Sequence, residues 1–183
     1  MRWDELFDDL EARLVEEGRR DLEAEVADRT RRERALLGLQ DRFTACHPGD
    51  EVSVRVAGVG NVVGRVTGVG ADWVLLAERP QHPVLIAFIA IRTITGASFR
   101  SEQVGAVAKA FGLGSALRAV SRDRAVVEVV DLEGLSMTGT IDVVGRDLVD
   151  LAEHPSDLPR RPEHVVAIRS IPFAAMAVVR RRS

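Results

Sequence analysis

The pattern of apolar and polar residues changes near residue 50, and this change divides the chain into a helical part and a β-rich part. In the first part, Trp3, Phe7, Leu10 and Leu14 recur at spacings of three and four residues, which predicts one apolar stripe on a helix. The surrounding residues are mostly Glu, Ala, Leu and Arg, which favour helices. We therefore expect a helical N-terminal arm over residues 1–34.

The stripe weakens toward the end of the arm, where Arg29 and Glu33 interrupt it. Two interpretations are open. The arm could pack against its own domain, or it could form a coiled coil through which two chains associate. The broken heptad favours the first interpretation.

From residue 52 the period becomes two, and short segments rich in Val and Ile alternate with Gly or Pro turns. This pattern predicts the strands of a small antiparallel barrel. A helix-like stretch follows at about 101–121, and Gly112 and Gly114 are expected to break it. Strands then resume at residue 126. The run at 84–91 is apolar on both faces, which indicates a buried or interface strand.

The β-rich part contains an internal duplication. A shift of 75 residues aligns residues 64–80 with 139–155, and 9 of the 17 positions are identical. Unrelated segments of ordinary composition would share about one or two. The chain therefore repeats a five-strand unit, with a leading helix expected at 35–44 in one copy and at 115–121 in the other.

The alignment of the last two strands leaves two registers open, because the second copy has a longer loop. One register matches residues 86–91 with 171–176, and the other matches 90–94 with 167–171. We prefer the first, because it leaves a final apolar strand in the equivalent position.

Both copies have a glycine in the second strand flanked by apolar residues, namely Gly64 and Gly139. A leading helix, five short strands and this glycine together resemble the Sm-like superfamily, which includes the Sm, LSm and bacterial Hfq proteins. The resemblance covers about 35–95 and 115–180. It implies a mostly β fold with two small five-stranded antiparallel barrels of the SH3-like type. In such a barrel the glycine lets the second strand bend sharply.

The resemblance also implies a domain organisation and a mode of assembly. Expected are a helical arm at 1–34, a first barrel with its leading helix at 35–98, a helical linker at 99–114, and a second barrel with a basic tail at 115–183. Sm-like units pair the fourth strand of one with the fifth strand of the next, which covers open edges. The two copies could pair with each other or build a homo-oligomer. Phe88 and Phe173 are expected to be core or interface residues.

The residues that form the RNA pocket in this superfamily are altered here. A carboxylate in the loop between the second and third strands orders that pocket, and this position holds Gly70 or Gly145. Asp72 and Asp147 lie two residues later and are the nearest substitutes. The positions of the Lys-His pair of Hfq hold apolar residues, namely Phe88, Ile89, Phe173 and Ala174.

The sequence suggests no enzyme, cofactor or metal. The glycines of residues 58–64 do not fit the dinucleotide-binding spacing and predict a hairpin turn. The acidic pairs 72/78 and 147/153 fall in turn and strand-end positions, so we expect structural roles for them. Four histidines show no metal-ligand spacing, and Cys46 is the single cysteine.

The arginine clusters are the main nucleic-acid candidates. Arg180, Arg181 and Arg182 are expected to form an unstructured basic tail, and Arg160 and Arg161 form a second group. The net charge of −3 gives no overall basic field, and the aromatic content of 4% leaves few platforms for base stacking.

No apolar run is long enough to span a bilayer and no signal-like segment is visible, so we expect a cytoplasmic protein without a membrane partner. Three functions are open: a non-enzymatic RNA-associated or post-transcriptional regulator, a protein-interaction module that has lost RNA binding, and a DNA-associated regulator.

Overall fold

The computed structural model describes residues 3–46, 49–79, 82–97 and 111–182. The chain forms two compact units, Met1–Leu37 and Gly38–Ser183. The first unit contains helix α1, Trp3–Ala35, which confirms a helical arm. Exposed ion pairs join Arg19 to Glu16 and Glu23 one turn away along the helix. The side chains of the predicted stripe, Trp3 to Leu14, lie outside the described residues.

The second unit is built mainly of short antiparallel strands. Its first half contains helix α2 (Leu39–Thr44) and strands β1 (Glu51–Val56), β2 (Gly60–Val69), β3 (Trp73–Arg79), β4 (His82–Ala87) and β5 (Ile91–Thr95). Its second half contains helix α3 (Leu113–Arg122) and strands β6 (Val126–Asp131), β7 (Ser136–Val144), β8 (Leu148–Glu153), β9 (Ala167–Pro172) and β10 (Met176–Arg181). The change to a period of two therefore predicted the strands correctly.

The described strands form one ten-stranded sheet in the order β5-β1-β2-β3-β4-β10-β6-β7-β8-β9. One continuous sheet thus stands where two five-stranded barrels were expected, because β4 of the first half pairs directly with β10 of the second, the internal pairing that the resemblance left open. The order β5-β1-β2-β3-β4 recurs as β10-β6-β7-β8-β9. We call the β4–β10 pairing the seam.

Strand register repeats with the duplication. Val52 pairs with Gly64 in the first half, and Val127 pairs with Gly139 in the second. The β2–β3 pairing and the β7–β8 pairing each contain one register shift, and the two shifts lie at equivalent positions of the duplication. Each fourth strand is followed by a 3-10 turn, at Phe88–Ala90 or Phe173–Ala175. These turns confirm the register that matches residues 86–91 with 171–176.

The two repeated glycines allow close contact between the second and third strands. A Cβ on Gly64 would lie 2.6 Å from the Ala77 carbonyl oxygen, and one on Gly139 would lie 2.0 Å from the Ala152 carbonyl oxygen. Neither contact is tolerable for a side chain. The predicted hairpin at residues 58–64 is also confirmed, since β1 and β2 are joined there and Gly58 has a φ of +69°.

Two apolar cores lie on opposite faces of the seam strands. Val84 and Ile86 of β4 pack into the first core, whereas Leu85 and Ala87 pack into the second. Strand β10 alternates in the same way, because Val178 belongs to the first core and Val179 to the second. Only the first part of the run 84–91 is thus a strand buried on both faces, because β4 ends at Ala87, a 3-10 turn follows, and Ile89 is exposed. Fully burying one such side chain contributes about 1.5–3 kcal/mol.

Each core is closed by a helix. Phe43 of α2 is fully buried and stacks on Phe88, with ring centroids 5.8 Å apart. Leu117 of α3 is fully buried in the second core. The helix expected at 35–44 is shorter than predicted, because Ala35 ends α1 and α2 begins at Leu39.

The helix expected at 101–121 is described only in its last part. Gly112 is the N-cap of α3, as a helix-breaking glycine suggests, but Gly114 lies inside the helix. Residues 98–110, which include most of the expected helical linker, lie outside the described residues.

Candidate nucleic-acid interface

The loop between the second and third strands meets the turn after the fourth strand in both halves. The amide of Phe88 donates to the carbonyl oxygen of Asp72 over 2.8 Å, and the amide of Phe173 donates to the carbonyl oxygen of Asp147 over 2.8 Å. The segments that carry the expected RNA-pocket positions are thus neighbours. Phe88 and Phe173 themselves are half-buried packing residues and do not belong to the seam pairing.

In the first half, the loop is occupied by the protein itself. A Cβ on Gly70 would lie 2.1 Å from Nε1 of Trp73 and 2.5 Å from the Phe111 carbonyl oxygen. That carbonyl accepts hydrogen bonds from Trp73 Nε1 and from the Ala71 amide, both over 3.0 Å. Gly70 is therefore required by packing, and a carboxylate at this position would not fit.

Asp72 caps a helix from a distance. Its Oδ1 accepts a hydrogen bond from the Leu113 amide over 2.7 Å, at the first turn of α3. The N-cap residue, Gly112, has no side chain to do this. The role of Asp72 is thus structural, as expected, but its side chain bonds to a residue 41 positions along the chain and not only to its own turn.

In the second half, α3 also covers the loop. Arg118 Nη2 donates to the carbonyl oxygen of Gly145 over 3.2 Å. A Cβ on Gly114 would lie 3.1 Å from the ring of Phe173. Asp147 is exposed, and the structure records no hydrogen bond of its side chain among the described residues. Neither loop therefore presents a carboxylate-ordered pocket.

The C-terminal arginines are part of the sheet. Arg180 and Arg181 are the last residues of β10, and the amide of Arg182 donates to the Val126 carbonyl oxygen over 2.9 Å. The expectation of an unstructured tail is wrong for these residues, because β10 pairs with a neighbour on each side. Arg180 lies opposite Val84 of β4 and Glu128 of β6.

A polar cavity of about 320 Å³ opens where these arginines end the seam. We call it the seam pocket. Its charged and polar lining consists of Glu78, His82, Glu128, Arg180, Arg181 and Arg182. Three guanidinium groups and one imidazole thus face two carboxylates in one cavity.

Glu128 is a buried carboxylate with three cationic or hydroxyl neighbours. Burial by itself raises its pKa, but hydrogen bonds from Ser136 and Arg182 and the charge of Arg180 lower the pKa by more. The Ser136 hydroxyl donates over 2.6 Å and Arg182 Nη2 over 2.9 Å. Glu128 is therefore ionised at neutral pH, and it fixes Arg182 at the rim of the pocket.

Arg180 has hydrogen-bonding capacity to spare. Its Nε is buried, and it is the one buried side-chain nitrogen or oxygen in the described part of the chain that lacks a hydrogen-bond partner. Guanidinium groups stay charged in proteins, and a buried donor left unpaired costs about 1–3 kcal/mol. An oxyanion in the pocket would form charge-assisted hydrogen bonds with the exposed guanidinium groups of Arg181 and Arg182.

The second arginine group lies elsewhere, and its Arg160 is already paired with a carboxylate. Arg160 forms a bidentate pair with Asp142, with its Nε 3.0 Å from Oδ1 and its Nη2 2.5 Å from Oδ2. The carboxylate raises the pKa of Arg160. These two residues line a separate cavity of about 710 Å³ with Arg124 and Thr140. Arg161 is exposed and precedes a 3-10 turn.

Sequence reasoning missed Glu78, His82 and Glu128 as neighbours of the C-terminal arginines. A usable signal existed for Glu128, because it interrupts the apolar strand β6 on a face that is otherwise buried. A charge at such a position usually has a partner. The approach of Glu78 and His82 depends on the seam pairing, which the sequence left as one of two options.

In the described ranges, no three His, Cys, Asp or Glu side chains form a cluster that could hold a metal ion. His154 is buried and uses both ring nitrogens, one with the Thr140 hydroxyl and one with the Pro155 carbonyl, both over 2.9 Å. Among the residues described, no helix is both long and apolar enough to cross a bilayer.

Comparison with protein-family models finds no match for this chain. Comparisons with curated proteins and with solved structures find no significant match either.

Proposed function

We propose that this protein is a tandem Sm-like protein that binds single-stranded RNA without enzymatic activity, through phosphate contacts at the seam pocket. On this proposal, strands β1–β5 form one Sm-like unit and strands β6–β10 form the other, and the two units are joined at the seam. A cationic site between the units would bind RNA in place of the RNA pocket of the superfamily.

The duplicated hydrogen bonding supports the division into two units. Strand order, register and the amide-to-carbonyl bonds at the loops all recur in the second half. The seam joins the fourth strand of one unit to the fifth strand of the other, as the resemblance implies for neighbouring Sm-like units. A duplication that kept these features preserved the backbone of the unit while its loops diverged.

One observation carries the binding proposal: Arg180, whose buried Nε has no hydrogen-bond partner, lines the same cavity as Arg181 and Arg182. Lone exposed arginines occur on most protein surfaces. A partly buried guanidinium with a free donor, next to two more, is an arrangement suited to phosphate oxygens. Because the net charge of the chain is −3, attraction would be local to this cavity rather than general.

Single-stranded RNA fits this site better than duplex nucleic acid. A concave cavity of about 320 Å³ can enclose one phosphate with its sugar, whereas a duplex presents its phosphates along a wide convex surface. Arg160, in the other arginine group, is paired with Asp142 and is therefore less available to the phosphates of a duplex. A single strand can turn one phosphate into the cavity at little cost.

The test is fluorescence anisotropy of labelled oligouridine and oligoadenosine RNA on the full chain over a salt series. With one to three phosphates neutralised, log K should fall with log salt at a slope of about −0.7 to −2. Arg180→Gln should weaken binding at least tenfold and reduce the slope by about 0.7. Arg161→Gln removes the same charge from an exposed position outside the pocket and should change little. Equal effects of both substitutions would refute the proposed site.

A second function, a protein-assembly module, is favoured by a different observation. The loops that would form the RNA pocket of the superfamily are filled by Trp73, Phe111 and Arg118 of this chain. If the RNAs show no affinity even at low salt, assembly becomes the better interpretation. A third function, DNA-associated regulation, predicts instead that labelled duplex DNA binds more tightly than either RNA.

A further inference from the structure

A second cavity lies on the other face of the seam. It has a volume of about 180 Å³, and its walls are apolar: Leu75, Leu85, Val120, Ala125, Val127 and Val179. We call it the seam crevice. Leu85 and Val179 are buried in the second core, so the crevice is an opening at the end of that core. The polar side chains that line it are those of Asp123 and Arg181.

The seam crevice and the seam pocket meet at the ends of β4 and β10. Val84 and Arg180 face the pocket, whereas the next residues, Leu85 and Val179, face the crevice. Pro83 and Arg181 line both cavities. A cationic cavity and an apolar cavity therefore share two walls, with the strand ends between them.

We infer that the seam holds one nucleotide of single-stranded RNA in two parts, with its phosphate in the seam pocket and its unstacked base in the seam crevice. This inference rests on the proposed function and names what the site recognises. A nucleotide joins an anionic group to a flat ring with apolar faces, and the two cavities offer that pair of environments side by side. The two volumes, about 320 and 180 Å³, together fall in the range of small-ligand sites, roughly 300–1,000 Å³.

The polar groups of the crevice suit the edge of a base. Asp123 is exposed, and its carboxylate can accept a hydrogen bond from a ring N–H or an exocyclic amine. Arg181 is also exposed, and its planar guanidinium lies between the two cavities, where it can stack on the base or bond the phosphate. Leu75, Leu85 and Val179 exclude water from the faces of the ring. The apolar walls carry no sequence information, so we expect tolerance among bases.

The test is competition against bound, labelled oligouridine on the full chain. The competitors are adenosine 5′-monophosphate, uridine 5′-monophosphate, ribose 5-phosphate and inorganic phosphate. Both nucleotides should compete at least about tenfold better than ribose 5-phosphate, because only they carry a base for the crevice. Inorganic phosphate should compete most weakly.

Ala125→Met fills the crevice without changing charge. It should remove the advantage of the two nucleotides over ribose 5-phosphate and leave competition by ribose 5-phosphate unchanged. Ala119→Met makes the same change on an exposed position of α3, outside the crevice, and should have no effect. Unchanged thermal melting of both variants establishes that the fold is intact, and Ala125→Ser, which adds little volume, should behave like the original chain.

The outcomes separate the two proposals. If RNA binds and depends on Arg180, but nucleotides and ribose 5-phosphate compete equally, the base subsite is refuted and the phosphate site stands. If Ala125→Met has no effect on competition, the base lies elsewhere and the inference fails. If no labelled RNA binds before any competitor is added, the proposed function and this inference fail together.

Discussion

The contact between Asp72 and the first turn of α3 gives the sharpest test of the packing. Asp72→Ala removes the acceptor of the Leu113 amide and takes a carboxylate away from the N-terminus of a helix. Loss of a cap costs about 0.5–2 kcal/mol, and Asp72 is exposed, so we expect about 1 kcal/mol. For a chain of this size that corresponds to about 2–4 °C in Tm.

The duplication supplies a matched control. Asp147 occupies the equivalent position, is also exposed, and has no recorded side-chain hydrogen bond among the described residues. Asp147→Ala should therefore change the free energy of unfolding by less than about 0.5 kcal/mol. Asp72→Asn keeps an acceptor oxygen but loses the charge, so its effect should lie between those of the two alanine variants.

Urea denaturation followed by circular dichroism measures the free energy of unfolding, and hydrogen exchange locates the change. The amide of Leu113 should exchange faster in Asp72→Ala, while amides in the centre of the sheet should change only with global stability. Equal destabilisation by Asp72→Ala and Asp147→Ala would refute the reasoning. So would unchanged protection of Leu113.

Two further predictions concern the sheet and the pocket. Gly139→Ala places a Cβ against the Ala152 carbonyl oxygen and should cost about 1–3 kcal/mol in urea denaturation, whereas Gly18→Ala, with no atom within 4 Å, should leave the β-rich unit unaffected. The pKa of Glu128 is lower in the folded chain than its ordinary value, so its contribution is present above the ordinary carboxyl pKa and is lost as pH falls through the lowered value. Glu128→Gln should therefore cost about 1–2 kcal/mol at pH 7, discounted because Arg182 is half exposed, and the difference should shrink steadily as the pH falls below the ordinary carboxyl pKa. A difference that does not shrink with falling pH would show that the charge of Glu128 is not its source.

Local pattern was enough to predict the strands, because each is short, β-branched and bounded by glycine or proline. The repeated register also followed from the sequence, since Gly64 and Gly139 fix the alignment and tolerate no Cβ. The sequence did not determine that β4 of the first half pairs with β10 of the second half. Both β4 and β10 are apolar on two faces, and this indicates burial without naming the partner.

The predictions from sequence that the structure corrects share one cause: each feature depends on contact between residues that are distant in the chain. Three consecutive arginines favour an unstructured tail when taken alone, but β4 and β6 supply hydrogen bonds on both sides of Arg180. Asp72 favours a local turn when taken alone, but α3 begins beside it. The candidate site was predicted only by its arginines, because Glu78 and His82 reach them through the seam and Glu128 reaches them from β6.

The two halves differ most between the strands that form the seam and the equivalent strands that form the outer edges of the sheet. In the seam, Leu85 and Val178 are buried, whereas the residues at the equivalent positions of the outer strands, Ser170 and Thr93, are exposed. Pro172 further blunts β9, because proline cannot donate a ladder hydrogen bond. The outer edges therefore lack the apolar faces that hold β4 to β10, and repetition of the same pairing between chains is disfavoured.

The seam pocket lies at this point of divergence. Arg180 corresponds to Thr95 in the first half, and Glu128 corresponds to Ser53, so neither charge has a counterpart in the other copy. A cationic site can form once per chain, where the fifth strand of the second half is covered by the fourth strand of the first. A duplication followed by internal pairing thus creates a cavity that neither unit contains alone. For this reason we propose the seam, and not the loops, as the binding site.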